Sequence, residues 1–463
     1  MTHSPERTRP PATAPAPSAG TPATVKRTAK AAAASPPTMK RVASASFIGT
    51  VIEFYDFGIY GTAAALVFPQ LFFPALGTAA GTVASFATLG VAFVARPFGS
   101  VLFGHFGDRL GRKKTLIATM LLMGLSTTLV GLMPTASAIG VAAPILIVIL
   151  RILQGLAAGG EWGGAVLFAS ENAPKNKRGF WAAFPSFGGG IAVILSNATF
   201  FTTNQVMSED SFVNWGWRIP FLASLLLVVV GLWVRLSTGE TPVFQKQVER
   251  VGVTRVPVLD AFKNQPWQIV LATGTAVMTL SLTYVGGNYM VSYGTTVLEL
   301  TRSFVLGIAI LGGVSLSVGV VIGAVLSDRI GRRQIITIAA CAAVVWDLAL
   351  FPILDTRSEL AFALGVPVTL LISGIATGPL GAFLSEVFQT RYRYTATGLS
   401  YSLAGMIGGA IPPLIAAPII EAAGGFTFGV ILAAVALLSL VCIRVIGETQ
   451  QLDLDRDTGS PVG

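Results

Sequence analysis

Charge is scarce in this 463-residue chain: only 11% of its residues are Asp, Glu, Lys or Arg, where a soluble domain carries roughly 25%. That scarcity argues against an ordinary water-soluble globule. Histidine is nearly absent, His3 and His105 being the two present, and cysteine is limited to Cys341 and Cys442, both within apolar runs. No Cys/His set of metal-site spacing or disulfide framework can be drawn from them, so the thiols read as inert packing groups. A nucleophile–base constellation and a glycine-rich loop of nucleotide-binding type are also missing, which argues against an enzyme. No cofactor is expected. The tails lack the length and hydrophobicity of an added signalling domain.

Hydrophobicity is what the chain has instead. Apolar residues make up 53% of it and the mean hydropathy is +0.71. Apolar runs longer than about 18 residues recur along the whole length, the pattern of membrane-spanning helices. Fifty-one glycines suit helices whose backbones approach closely in lipid. The expected helices cover approximately 43–70, 80–104, 115–134, 143–171, 178–203, 217–236, 267–292, 303–326, 334–353, 360–388, 396–420 and 426–446. The fold class is therefore an all-α membrane protein.

The net charge of +9 could point to nucleic acid, but its placement points to a bilayer. Apart from Arg96, Arg151, Arg218, Arg302 and Arg357, the Lys and Arg residues lie in the termini, in every second loop or at the helix ends beside them. Segments 72–80 and 134–143 have none. Such asymmetry places both termini in the cytoplasm. The organisation expected is a disordered cytoplasmic tail over 1–40, a six-helix half over 41–236 and a cytoplasmic linker over 237–266 carrying Lys246, Arg250, Arg255 and Lys263. A second six-helix half follows over 267–446, then a short cytoplasmic tail over 447–463.

The two halves repeat each other. Gly107-Asp108-Arg109-Leu110-Gly111-Arg112-Lys113 returns as Ser327-Asp328-Arg329-Ile330-Gly331-Arg332-Arg333. Ser170-Glu171, with Arg178 seven residues on, returns at almost the same offset as Ser385-Glu386 and Arg393. Two pseudo-symmetric halves around a midplane cavity are a construction of secondary transporters. The basic loops then read as a cytoplasmic gate: Gly104, Asp108, Arg109, Gly111, Arg112, Glu171 and Arg178 in one half, and Asp328, Arg329, Gly331, Arg332, Glu386 and Arg393 in the other. Ion pairs among them would close that side and break as the halves rock. The copies are not identical, because Gly104 aligns with Ala324 and Gly323 is displaced by one.

Several motifs resemble one family. Gly104-x-x-x-Asp108-Arg109-x-Gly111-Arg112-Lys113 resembles the loop motif of the major facilitator superfamily. Glu53-Phe54-Tyr55-Asp56-Phe57, Arg96-Pro97-x-Gly99, Arg151-x-x-Gln154-Gly155, Gly159-Gly160-Glu161-Trp162-Gly163-Gly164, Trp217-Arg218-Ile219-Pro220-Phe221 and Glu240-Thr241-Pro242-x-Phe244 look like its metabolite:proton symporter branch. The resemblance implies import of organic acids or zwitterions with protons, in a bacterial cytoplasmic membrane, by a monomer needing only a proton gradient. The alternative is a proton antiporter exporting drugs or metabolites, which shares fold and gate.

The intramembrane polar residues agree. Glu53, Asp56 and Tyr60 share one face of the first helix, and ionisable groups at membrane depth usually face the bundle interior. Burial and a nearby cation pull a carboxyl's proton affinity in opposite directions, so Asp56 with Arg151 of the fourth helix is the leading proton-coupling pair and Glu53 the rival carrier. A static ion pair or a substrate contact is the other reading of Asp56. Relatives of the superfamily use the corresponding acid and arginine in coupling, as the resemblance implies. Arg96, before Pro97, could meet an anionic substrate or pair with Glu161. Tyr60, Arg96, Glu161 and the helix-seven stripe Ser281, Tyr284 and Asn288 are the substrate-contact candidates. Asp347 is a lone acid of the second half, and Gly155, Gly159 and Gly163 form a helix-packing stripe.

Overall fold

A computed structural model describes residues 1–2, 39–110, 112–237, 257–389 and 393–450. Almost all of the expected N-terminal tail, Gly111, linker residues Lys246, Arg250 and Arg255, the Glu240–Phe244 motif and residues 451–463 lie outside them. For Asp108, Arg109 and Arg112 only the helical backbone is described. Met1–Pro37 is a unit separate from Thr38–Gly463, and the latter carries every helix below.

A backbone in lipid has no water to bond, so it must satisfy its own N–H and C=O groups, and helices do so within one segment. Eleven helical stretches among the described residues are long and apolar enough to cross a bilayer. They are α1 (Val42–Leu66), α2 (Pro74–Phe103), α3 (Thr115–Leu132), α4 (Ala142–Asn172), α5 (Lys175–Val206), α6 (Gly216–Trp233), α7 (Pro266–Thr296), α8 (Arg302–Ile330), α9 (Arg332–Leu354), α10 (Glu359–Val387) and the 53-residue stretch Arg393–Val445. About 20 residues suffice to span, so the last stretch is too long for one crossing. Gly424 breaks it with a φ of +81°, a conformation open to glycine. The parts are α11 (393–423) and α12 (425–445), making twelve spans.

The halves are related by a shift of six helices. In the first, α1 packs on α5, α2 on α4 and α3 on α6; in the second, α7 packs on α11, α8 on α10 and α9 on α12. The halves meet where α5 lies against α8, α2 against α11 and α1 against α7. Facing lipid are rows of exposed apolar side chains at helical spacing, such as Leu121, Leu125, Leu129 and Leu132 on α3 and Val314, Val318 and Val321 on α8. Apolar surface on that scale requires a hydrocarbon environment.

Some helix ends differ from expectation. The first helix stops at Leu66 rather than 70, because Val67 leaves helical geometry and Pro69 opens a short new helix, Phe68–Phe72. The second continues to Leu110 instead of stopping near 104. α4 is interrupted at Gly159–Gly160. α7 and α11 each contain a π-helical stretch, Val285–Tyr289 and Gly405–Ala410.

Gly155 and Gly159 lie where α4 crosses α2. A Cβ on Gly155 would strike the Ala92 carbonyl, and one on Gly159 the Arg96 carbonyl. Gly155→Leu is therefore expected to cost about 1–3 kcal/mol or more through overpacking, visible as a lower melting temperature and a poorer monodisperse yield in detergent. Gly307→Leu, with nothing within 4 Å of its Cβ, should change neither.

Candidate functional site

The interior of the first half holds a continuous polar chain across three helices. Arg151 on α4 donates from Nη1 to Gln154 Oε1 at 2.7 Å; Gln154 Nε2 donates to Thr127 Oγ1 on α3 at 2.6 Å; Thr127 donates to Asp56 Oδ2 on α1 at 2.8 Å. All four side chains are buried. Helical geometry builds the chain, since Arg151 and Gln154 are i, i+3 neighbours. Asp56 and Arg151 thus communicate through two neutral groups, and no direct ion pair joins them. Asp56 Oδ1 and Arg151 Nε and Nη2 have no hydrogen-bond partner among the described residues. The guanidinium instead lies over aromatic faces, 3.9 Å from the Tyr60 centroid and 4.8 Å from that of Phe57, a favourable place for a cation with limited hydrogen bonding. Tyr60 is held by its hydroxyl against Thr88 of α2 at 2.6 Å.

Glu53, one turn before Asp56, is placed differently. Its Oε1 meets Arg96 Nη2 at 2.9 Å, both side chains buried. Of the two roles open to Arg96 on sequence, partner for Glu161 or for an anionic substrate, neither describes this contact. Arg96 reaches across to Glu53 of α1 while Gly155 and Gly159 hold α2 close to α4, and Phe57 and Phe93 pack on its guanidinium at 4.2 and 5.2 Å. Glu53, Asp56 and Glu161 line one tight crevice with Met120 and Met123 of α3.

The second half faces these groups across the midline. Ser281 and Tyr284 are buried, and Ser281 Oγ and Tyr284 Oη lack hydrogen-bond partners among the described residues. Tyr284 packs edge-on against Phe93 of α2 at 4.8 Å and feels the charges of Arg96, Glu53 and Arg151. Asn288 falls in the π-helical stretch, against the close approach of Gly61 on α1. The i, i+3, i+7 stripe is therefore not straight, and Asn288 lies toward α1. Trp162 of α4 and Tyr401 of α11 stack at 3.5 Å and 10°. Asp347 is buried with neither carboxylate oxygen hydrogen-bonded to another described residue, between α9 and α12 near Gly429.

At one end of the bundle the charged motifs form a second cluster. Glu386 of α10 binds Arg178 of α5 at 3.2 Å and Arg332 of α9 at 3.5 Å; Arg332 also binds Asp328 at 2.8 Å. Asp328 accepts from the backbone N–H of Gly179 and Phe180 at 2.8 and 2.9 Å, joining α8 to α5. Arg393 approaches Glu171 at 4.0 Å. Gly331, at φ +106°, turns the chain from α8 into α9. Arg329 is the exception: it is exposed and makes no ion pair with another described residue. Its position one residue after Asp328 carries it off the face that Arg332, a full turn from Asp328, presents inward.

Sequence reasoning missed Thr127, the coupling place of Gln154, and a strap formed by residues 448–450. Glu448 caps α9 by accepting from Arg332 and Arg333 N–H at 2.9 and 3.2 Å, Thr449 donates to Glu386 Oε2 at 2.8 Å, and Gln450 donates to the Asp328 carbonyl at 2.6 Å. One signal was visible: Gly447-Glu448-Thr449 repeats Gly239-Glu240-Thr241 after the sixth span. The Arg151–Gln154 spacing was another.

Twelve spans in two six-helix halves, with buried charges in the interior and ion pairs at one end, are the construction of a membrane carrier. The Major Facilitator Superfamily model matches residues 46–413, and the chain belongs to that family. It is 39% identical over 419 residues to the inner membrane metabolite transport protein YhjE of Escherichia coli K12, covering 89% of this chain and 95% of the relative. It is 36% identical to the shikimate transporter of the same organism, covering 89% and 95%, and 32% identical to its proline/betaine transporter, covering 82% and 77%. In fold it resembles the E. coli proton:xylose symporter XylE, with a TM-score of 0.74, 16% identity, and coverage of 90% and 97%. The protein is a multi-pass membrane transporter and not an enzyme.

Removing the shared carboxylate of the end cluster has a calculable effect. Glu386→Gln removes the carboxylate that two buried guanidiniums share, while Arg332 keeps Asp328, and is expected to cost about 3 kcal/mol. Glu448→Gln weakens only an exposed helix cap, about 1 kcal/mol. Thermal unfolding of both variants in detergent checks the order.

Proposed function

We propose that this chain is a proton-coupled importer of a small organic acid or zwitterionic metabolite, of shikimate, dicarboxylate or proline/betaine type, working by alternating access. Its setting is a bacterial cytoplasmic membrane, with both termini and the Arg178–Glu386 cluster on the cytoplasmic side. One observation carries the reading. Asp56 is wholly buried, has one oxygen without a protein partner, and is joined to its nearest cation only through neutral side chains. A carboxyl so placed can exchange a proton without breaking a direct ion pair, whereas Glu53 would have to leave Arg96. Asp56 is accordingly the coupling carboxyl and Glu53 a partner that orients Arg96.

Rocking the halves would expose Asp56 to each side in turn. Tyr284, Ser281 and Arg151, with their unused hydrogen-bonding atoms, line the opposing walls and are suited to a small solute bearing hydroxyls and a carboxylate. Similarity to the shikimate and proline/betaine transporters supports testing those two chemistries first.

Proteoliposomes with an imposed inward proton gradient and a panel of shikimate, dicarboxylates, proline and betaine provide the test. The expected result is uphill accumulation of one panel member, which Asp56→Asn reduces by at least about tenfold, corresponding to 1.4 kcal/mol or more of lost coupling. Counterflow exchange should survive in that variant. Undiminished accumulation by Asp56→Asn would remove the residue from the role, and substrate extrusion driven by the same gradient would reverse the direction proposed.

A further inference from the structure

The link between Asp56 and Arg151 has only one arrangement of protons available when Asp56 is ionised. Arginine has donors and no acceptor, so the side-chain oxygen of Gln154 must face Arg151 and its NH₂ must face Thr127. Thr127 Oγ1 must therefore accept from Gln154, and its single proton has two possible destinations: Asp56 Oδ2 at 2.8 Å, or the Met123 carbonyl of its own helix at 3.0 Å. The orientation of Gln154 follows from the chemistry of its neighbours and not from a choice between look-alike atoms.

We infer that Thr127 is a positioning residue for proton coupling, a one-proton switch whose hydroxyl donates to Asp56 when that carboxyl is ionised and to the Met123 carbonyl when it is protonated. The inference rests on Asp56 being the coupling carboxyl. In the ionised state all three bonds run from Arg151 toward the carboxylate. When Asp56 takes up a proton at its open Oδ1 and a half-turn of the carboxyl group brings that O–H to the Thr127 side, the Asp56 hydroxyl donates to Thr127 Oγ1. That oxygen then accepts two bonds, from Asp56 and Gln154, within its capacity. The Thr127 proton turns to Met123, where threonine bonding to the i−4 carbonyl is a common helical arrangement. One half-turn of the carboxyl group and one hydroxyl rotation complete the change. The chain stays connected to Arg151 throughout, with the sense of its last bond reversed.

The titratable groups facing Asp56 are Glu53, Tyr55 and Tyr60 of α1 and Arg151 and Glu161 of α4. Arg96 of α2 and Tyr284 of α7 act on it through Arg151. From α3 it meets Thr127 and, along the crevice, Met120 and Met123, all uncharged. Thr127 is thus the one group from that helix able to answer a change in its charge.

Thr127→Val, Thr127→Ser, Gln154→Leu and Asp56→Asn are compared in proteoliposomes for gradient-driven accumulation, counterflow exchange and the pH dependence of uptake. Valine keeps the shape and removes the switch. In Thr127→Val the accumulation ratio should fall at least about fivefold further than the exchange rate does. Its half-maximal pH for uptake should move about one unit alkaline, the tenfold change expected when one donor to the ionised form is lost. Thr127→Ser should restore both measurements, and Gln154→Leu should lower accumulation while leaving the pH midpoint closer to the parent than Thr127→Val does. If Asp56→Asn is uncoupled while Thr127→Val keeps the parental pH profile and accumulation, the switch is refuted and the coupling carboxyl stands. If Asp56→Asn accumulates normally, the underlying reading fails first. A Thr127→Ser variant as impaired as Thr127→Val would also overturn the switch.

Discussion

Burying a charge in a bundle surrounded by hydrocarbon costs several kcal/mol, and the interior of the first half carries five groups able to bear one. Glu53, Asp56, Arg96, Arg151 and Glu161 are tolerated because each is held by a partner or a polarisable surface. Arg96 has Glu53; Arg151 has Gln154 and the faces of Tyr60 and Phe57. The aromatic residues are as necessary as the acids. Phe57 alone packs against both guanidiniums, so one ring in α1 helps set the positions of α2 and α4.

That arrangement constrains everything around it. α2 must lie close to α1, where Arg96 meets Glu53, and close to α4, where Gly155 and Gly159 admit its backbone. α1 must present three successive polar positions on one face, which leaves its remaining surface for α5 and α7. The second half carries hydroxyls and amides at the midline in place of ion pairs, and the π-helical stretches of α7 and α11 occur on helices lining the seam. Midline charge is concentrated in the first half and the π-helical stretches in the second, while the first half is irregular at Val67 and at Gly159–Gly160. A carrier in which one partner holds the ions and the other supplies adaptable walls is a coherent division of labour for a moving seam.

The architecture was legible because hydrophobic runs and repeated loop motifs are properties of the chain taken one segment at a time. Twelve spans and two halves follow from them. The helix-one face was legible too, since the spacing of Glu53, Asp56 and Tyr60 determines who shares it. Partner choice was not. The sequence offered Arg96 an anionic substrate or Glu161, and the Glu53 contact depends on how α2 is rotated against α1. Thr127 was hidden for a related reason. Ser126, Thr127 and Thr128 each bond the carbonyl four residues back, so along the sequence they look alike. The crossing of α3 over α1 singles out the middle one. Arg329 shows the converse: a repeated motif guarantees a repeated loop, while the direction of each side chain is set by the helix end that bears it.

Glu386 has a consequence of a different kind. Its two oxygens serve Arg178, Arg332 and Thr449 together, and through them α5, α9, α10 and the segment after α12 are tied to one carboxylate. Three tethers on one post do not slacken independently. Loss of any one leaves the others competing for a charge that has begun to hydrate, and water entering at that point weakens both survivors. This end of the bundle should therefore open as a latch does, in one cooperative event, with few stable half-open forms between closed and released.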